Sequence, residues 1–231
     1  MSGLQNFVAV DWRSGKDKIY FFFKDTNRYS RFDIASNTVE DGYPTDITFD
    51  NWGAAHVALK NLRFGFAAPA LGGSWGGGDD ILWLFYYDGD TPMVCKYDQD
   101  RDTTAGFYRL EKSIWRSLVP YFDKIITGTW RDTFAPKNRF HFLMNDGHYL
   151  IYSFTDNTIK RLPITSNSWP GVSQYKDRII TAVQNDAPLL STYYYIFLTN
   201  NEYIRYNLKN YKAESGPIKI DDESWPGLLR S

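Results

Sequence analysis

Apolar and aromatic residues come in short runs along this chain, each closed by polar residues and glycine. Four runs are small and mostly aliphatic: "FVAVDW" at 7–12, "RFGFAA" at 63–68, "IITGTW" at 125–130 and "IITAVQ" at 179–184. Each precedes a more aromatic run: "KIYFFF" at 18–23, "ILWLFYY" at 81–87, "RFHFLM" at 139–144 and "YYYIFL" at 193–198. Runs this short, rich in β-branched and aromatic side chains, predict strands. Asp, Asn and Gly then form tight turns in "KDTN", "DGD", "NDG" and "TNN", where hairpins need positive φ. A third run repeats a signature: "YSRFD" at 29–33, "VCKYD" at 94–98, "YLIYS" at 149–153 and "YIRYN" at 203–207. The looser stretch that follows is expected to hold a fourth, outer strand or a short helix.

That stretch ends each time at a tryptophan. Trp52, Trp115, Trp169 and Trp225 recur 54 to 63 residues apart, and the last two stand in a repeated Ser-Trp-Pro-Gly. Self-similarity at such a period predicts stacked units, because a four-stranded meander cannot bury both its faces alone. The prediction is an all-β, four-bladed β-propeller, each blade a four-stranded antiparallel meander, with blades at about 4–53, 60–118, 122–172 and 176–229 in a single domain spanning 1–231. The Trp-Pro-Gly turn recurs because the same corner is turned again.

These units resemble haemopexin-like repeats, whose blades have a small apolar first strand, an aromatic second strand, a Tyr-x-Arg-Tyr-Asp third strand and a Trp-Pro-Gly-Leu close. The likeness spans residues 4–229 and is most specific in "EYIRYN" with "SWPGL" and in "RYSRFD" with "EDGYPTDI". The resemblance implies an axial tunnel lined by the first strands, whose backbone carbonyls hold ions. By alignment on the family's Asp-Ala-Ala-Phe, the carbonyls of Ala9, Phe64, Thr127 and Thr181 would line it and take Ca²⁺, Na⁺ or chloride. Secreted members usually tie the last blade to the first by a disulfide, and single-propeller members from plant seeds are associated with polyamine and haem binding. Haem sites of the family lie where two propellers meet, so haem is disfavoured here, and no cofactor is required.

Composition narrows the partners. With 26 Lys+Arg against 27 Asp+Glu the net charge is −1, so no basic field for nucleic acid exists. A single cysteine, Cys95, makes no intramolecular disulfide, and no run of 18 apolar residues or cationic leader occurs. The expectation is a cytoplasmic monomer or homodimer without membrane insertion. His56, His141 and His148 match no metal-ligand spacing, no nucleophile motif occurs, and the acidic stretches at 97–102 and 219–224 lack a calcium-loop pattern, so no enzyme is expected. The reading is a binding protein for a small ligand or ion at the channel mouth or between blades, with a multivalent lectin and a protein-docking module as alternatives.

The candidate residues follow from those readings. Asp11 brings the one carboxylate of the first strands and would hold a polyamine. Trp12-Arg13 and Trp130-Arg131-Asp132 end two first strands, and Asn185-Asp186 stand at the same place in blade 4, a pairing of aromatic and planar polar groups that suits a glycan. Trp75, set among the glycines of "LGGSWGGGDD", is an anchor candidate. Arg31, Lys96 and Arg205 recur in the third strands and are expected to pair with acidic residues nearby.

Overall fold

The computed structural model describes residues 4, 6–14, 18–69, 80–130, 139–185 and 193–230. Four antiparallel sheets follow one another along the chain. Blade 1 contains β1 (Phe7–Trp12), β2 (Lys18–Phe23) and β3 (Arg28–Asp33), and its outer strand is split into β4 (Thr38–Val39) and β5 (Thr45–Asp46), which both pair with β3. Blade 2 contains β6 (Leu62–Pro69), β7 (Asp80–Asp88), β8 (Thr91–Asp98) and β9 (Thr103–Arg109). Blade 3 contains β10 (Ile125–Trp130), β11 (Arg139–Met144), β12 (His148–Ser153) and β13 (Thr158–Pro163). Blade 4 contains β14 (Ile179–Asn185), β15 (Tyr193–Leu198), β16 (Glu202–Asn207) and β17 (Lys212–Lys219).

The first strands adjoin in the order β1, β6, β10, β14 and back to β1, so the sheets stand around an axis as the blades of a propeller. The hairpin turns carry the expected positive φ at Asn27, Gly89, Gly147 and Asn200. No helix among the described residues is long and apolar enough to cross a membrane.

The core is divided into four apolar clusters, one at each seam between blades. A periodic tryptophan wedges each seam. Trp52 meets Tyr20 and Tyr29 of blade 1 and Tyr97 of blade 2, with ring centroids 5.2 to 5.8 Å away. Trp115 does the same between blades 2 and 3, Trp169 between 3 and 4, and Trp225 between 4 and 1.

The two Trp-Pro-Gly corners also clip blade 3 to the outer strand of blade 4 and blade 4 to that of blade 1. The Pro170 carbonyl accepts from the Ala213 N–H at 3.1 Å, and the Pro226 carbonyl accepts from the Val39 N–H at 2.9 Å, which closes the ring without a covalent bond. Gly171 and Gly227 hold φ of 82° and 79°, where a side chain is strained. A Cβ on Gly171 would stand 2.5 Å from that of Ala213, so only glycine lets the corner approach.

Strand register aligns the blades residue by residue. Arg31 pairs with Tyr20 and hence Val10; Lys96 with Trp83 and Phe66; Ile151 with His141 and Thr129; Arg205 with Tyr195 and Val183. One residue earlier lie Ala9, Gly65, Gly128 and Ala182, all small because neighbouring first strands crowd together there. A Cβ on Gly128 would meet the Phe142 ring at 2.7 Å and Phe66 Cδ1 at 2.9 Å. Gly128→Val is expected to destabilise the fold by about 1–3 kcal/mol through overpacking, read from the urea midpoint, whereas a neutral result would mean the inner ring has slack.

Candidate functional site

This register corrects the alignment drawn from sequence. Ala9 is level with Gly65, Gly128 and Ala182, so Ala9, Phe64, Thr127 and Thr181 do not form one carbonyl layer. The cause is a bulge near the start of β6, β10 and β14 that gives each an extra residue, while β1 has none. Trp12 and Trp130 are likewise not equivalents. The Trp130 backbone is level with Asp11, one place earlier than Trp12.

Near the axis, buried polar side chains lace the first strands together. Asp11 Oδ1 accepts from the Ala67 N–H of blade 2 at 2.8 Å, and its other oxygen lies 3.5 Å from Arg13 Nε. The Ala9 N–H donates to Thr181 Oγ1 at 3.3 Å, and the Thr127 hydroxyl donates to the Ala182 carbonyl at 2.7 Å. Thr127 also meets the buried Tyr194 hydroxyl at 3.1 Å, and Thr129 bonds Gln184. Burial pushes the Tyr194 phenol far above its usual range. Asp11 is only 5% exposed. Its carboxylate thus serves a seam, which leaves it poorly placed for a polyamine.

The Arg13 guanidinium is similarly withdrawn, with its side chain 10% exposed, and the Arg13 backbone N–H donates to Gln99 Oε1 of blade 2 at 2.9 Å. Asn185 is buried, with Nδ2 3.5 Å from the Tyr195 hydroxyl. Trp75, Arg131, Asp132, Asp186 and the Trp130 side chain lie outside the described residues. Among the described residues no group of three His, Cys, Asp or Glu is gathered as for a metal. His56 Nδ1 contacts the Gly53 carbonyl, His148 contacts Asp146, and His141 lies against Tyr149 and Trp169, each in a separate setting. Cys95 is buried in the seam between blades 1 and 2, and its thiol is pushed up to about 12 by burial, which suppresses thiolate chemistry near neutral pH.

The Trp12 side chain, by contrast, opens onto a cleft of about 380 Å³ between blades 1 and 2. Tyr20, Tyr29 and Trp52 form its buried aromatic floor; Trp12, Tyr43, Lys18, Arg31, Asn51 and Asp102 form its walls. The split outer strand makes this space. Residues 40–44 leave β3 between β4 and β5, bringing Glu40 onto Arg31 and Lys18 and laying Tyr43 5.4 Å from Tyr29. The Arg31 guanidinium sits 5.2 Å over the Tyr43 ring. Burial pushes the Tyr20 hydroxyl up to about 12 against the opposing pull of Arg31, so it remains a neutral phenol. Across the cleft the Tyr97 hydroxyl donates to Asp102 at 2.6 Å.

The same place recurs around the ring. In blade 4 Arg205 lies 4.9 Å over Tyr193 and 3.7 Å from Glu214, with β17 irregular opposite it. In blade 2 β9 is irregular opposite Lys96, and a cleft of about 300 Å³ opens beside Trp83. In blade 3, where Ile151 replaces the cation, β13 pairs without a shift. Arg31 and Arg205 therefore meet the expectation of acidic partners. Lys18, Tyr20, Tyr43, Asn51 and Asp102 were not singled out by sequence reasoning, and Trp52 was read only as part of the repeat. A signal for them existed: Glu40 and Glu214 each stand nine residues beyond the third-strand arginine.

No protein-family model matches the chain, and no curated protein does. Among solved structures, one described as "Structure of 2S albumin seed protein from Dolichos" superposes with a TM-score of 0.61 over 96% of each chain at 12% identity. A structural-genomics protein of unknown function from Bacteroides thetaiotaomicron aligns with a TM-score of 0.34 over 93% of this chain and 44% of its own, at 11% identity. Similarity at the level of the Dolichos protein is similarity of fold, and the chain shares its architecture from end to end.

Proposed function

We propose that this haemopexin-like propeller is a non-enzymatic binding protein that takes a small, neutral, polyhydroxylated ligand, such as a sugar, in the cleft between blades 1 and 2. The observation that carries this reading is the cleft's composition. Aromatic rings of Trp12 and Tyr43 flank Arg31 and Lys18, which donate hydrogen bonds, Asp102, which accepts them, and Asn51, which does both. Sugars need ring faces to stack on and polar groups in fixed orientation for their hydroxyls. The formal charges around the cleft cancel, Lys18 and Arg31 against Asp102 and Glu40, which lies on both cations. That balance favours an uncharged ligand over an ion. The commitment of Asp11 to the Ala67 amide moves the ligand from the channel mouth to the cleft.

A thermal-shift and calorimetric panel of methyl glycosides, spermine, haemin and Ca²⁺ tests it, because a ligand that prefers the folded state raises the melting point. A glycoside is expected to bind, with Tyr43→Ala weakening it about tenfold and Asp11→Asn leaving it unchanged. Spermine or Ca²⁺ binding that depends on Asp11 would transfer the function to the axis. Silence from the whole panel would overturn the small-ligand reading in favour of a protein partner.

A further inference from the structure

The blade 2 cleft repeats the position of the blade 1 cleft, but its positive charge is not balanced. Register places Phe66, Trp83 and Lys96 level with Val10, Tyr20 and Arg31. The walls of the blade 2 cleft include Trp83, Lys96, Tyr108, Lys112, Ser113 and Ile114. Where blades 1 and 4 offer Glu40 and Glu214 to their arginines, blade 2 has Ala105 at the corresponding offset. Among the described residues neither Lys96 nor Lys112 has a carboxylate within ion-pair distance, and none lines the cleft.

Two further observations point to an occupant. Trp83 is 5% exposed, and its indole N–H, like those of Trp52, Trp115 and Trp225, has no acceptor among the described residues. A buried donor left unpaired is costly, so a small shift of the wall that lets a ligand oxygen reach it is favoured. Tyr108, 42% exposed, lies with its hydroxyl over Gly106, where a Cβ would come within 2.6 Å of it. Gly106 is the residue opposite Lys96, so its missing side chain lets the Tyr108 ring lie across the strand position that faces Lys96.

We propose that the blade 2 cleft binds a small organic anion, an aromatic ring bearing a carboxylate or phosphate. The anionic oxygens lie between Lys96 and Lys112, and the ring rests against Tyr108 and Ile114. Two uncompensated ammonium groups in a concave, partly apolar wall attract an anion more strongly than the same groups free in water. This site is independent of the neutral ligand in blade 1.

The test is an NMR titration of the tryptophan indole N–H signals with phenyl phosphate and, separately, benzoate, the Trp83 signal being assigned with Trp83→Phe. A saturable downfield shift of that signal is expected with at least one probe, and comparing the two identifies the preferred headgroup. Lys96→Met should weaken binding about tenfold and Lys112→Met severalfold, Arg31→Met should not change it, and added NaCl should weaken it by screening. Lys112 is exposed, so its variant carries the test if Lys96→Met folds poorly. A Trp83 signal unmoved by both probes, or affinity unchanged in both lysine variants, would overturn the proposal. A response to phenol as strong as that to phenyl phosphate would also overturn it, since no anion would then be recognised.

Discussion

Trp115→Ala is expected to lower unfolding free energy by about 3–5 kcal/mol, in the range for deleting a large, fully buried aromatic side chain. Trp115 is 0% exposed and meets Phe66, Trp83 and Phe85 of blade 2 as well as Phe140, Phe142 and Tyr152 of blade 3. Most of these rings meet it edge-on, the arrangement aromatic pairs prefer. The rings come from two rigid sheets that cannot both move in to fill the space, so the cavity would persist. For a chain of this size the loss corresponds to a fall in melting temperature of roughly 10 °C or more. Urea unfolding of Trp115→Ala beside the milder Trp115→Phe measures it. A loss below about 1 kcal/mol for the alanine variant would mean that the seam collapses around the gap and that the tryptophan is a spacer more than a wedge.

Trp225→Ala should cost a similar amount, about 3–5 kcal/mol, but with a different spatial signature. Trp225 packs on Phe21 and Phe32 of blade 1 and on Tyr195, Phe197 and Tyr203 of its own blade. Its seam joins the two ends of the chain. The bonds there include the Val39 N–H to the Pro226 carbonyl, the Ala9 N–H to Thr181, and the Leu4 N–H to Asn201, with Arg230 reaching the Val39 carbonyl and Asp41. With no covalent tie across it, this seam should be where the ring opens first. Amide hydrogen exchange measures the effect: Val39 should lose protection in Trp225→Ala far more than Ala213, whose equivalent bond to Pro170 lies at the intact seam between blades 3 and 4. Equal loss at both amides would mean that the ring opens as a whole and that closure is no weaker than any other seam.

The blade count and the third-strand register were legible because strand alternation fixes which residues face a neighbour. A repeated Tyr-x-Arg-Tyr motif carries that alternation through the chain. Arg31, Lys96, Ile151 and Arg205 duly occupy one row. The inner-strand alignment was not legible, because a bulge adds a residue without changing the kind of residue around it. Counting from the strand start therefore set Asp11 one place out against Thr129 and Val183. The cleft was partly legible through Trp12, and its other members were hidden by a departure of the outer strand that only the pairing of β4 and β5 reveals. The third-strand cations were rightly expected to have acidic partners in blades 1 and 4. The exception, Lys96, is the informative one.

The irregular outer strands have a second effect, on how the molecule meets other chains. A propeller presents its outermost strands as unpaired edges, and a long straight edge is a template for a strand from elsewhere. Blade 1 offers only two-residue pieces, and blades 2 and 4 offer strands whose pairing shifts midway. Blade 3 alone runs straight, and there the edge carries Lys160 and Arg161 and ends at Pro163, which has no N–H to give. Each rim is thus guarded by shape or by charge, so the irregularities that open clefts toward ligands also make the ring a poor seed for sheet-to-sheet aggregation.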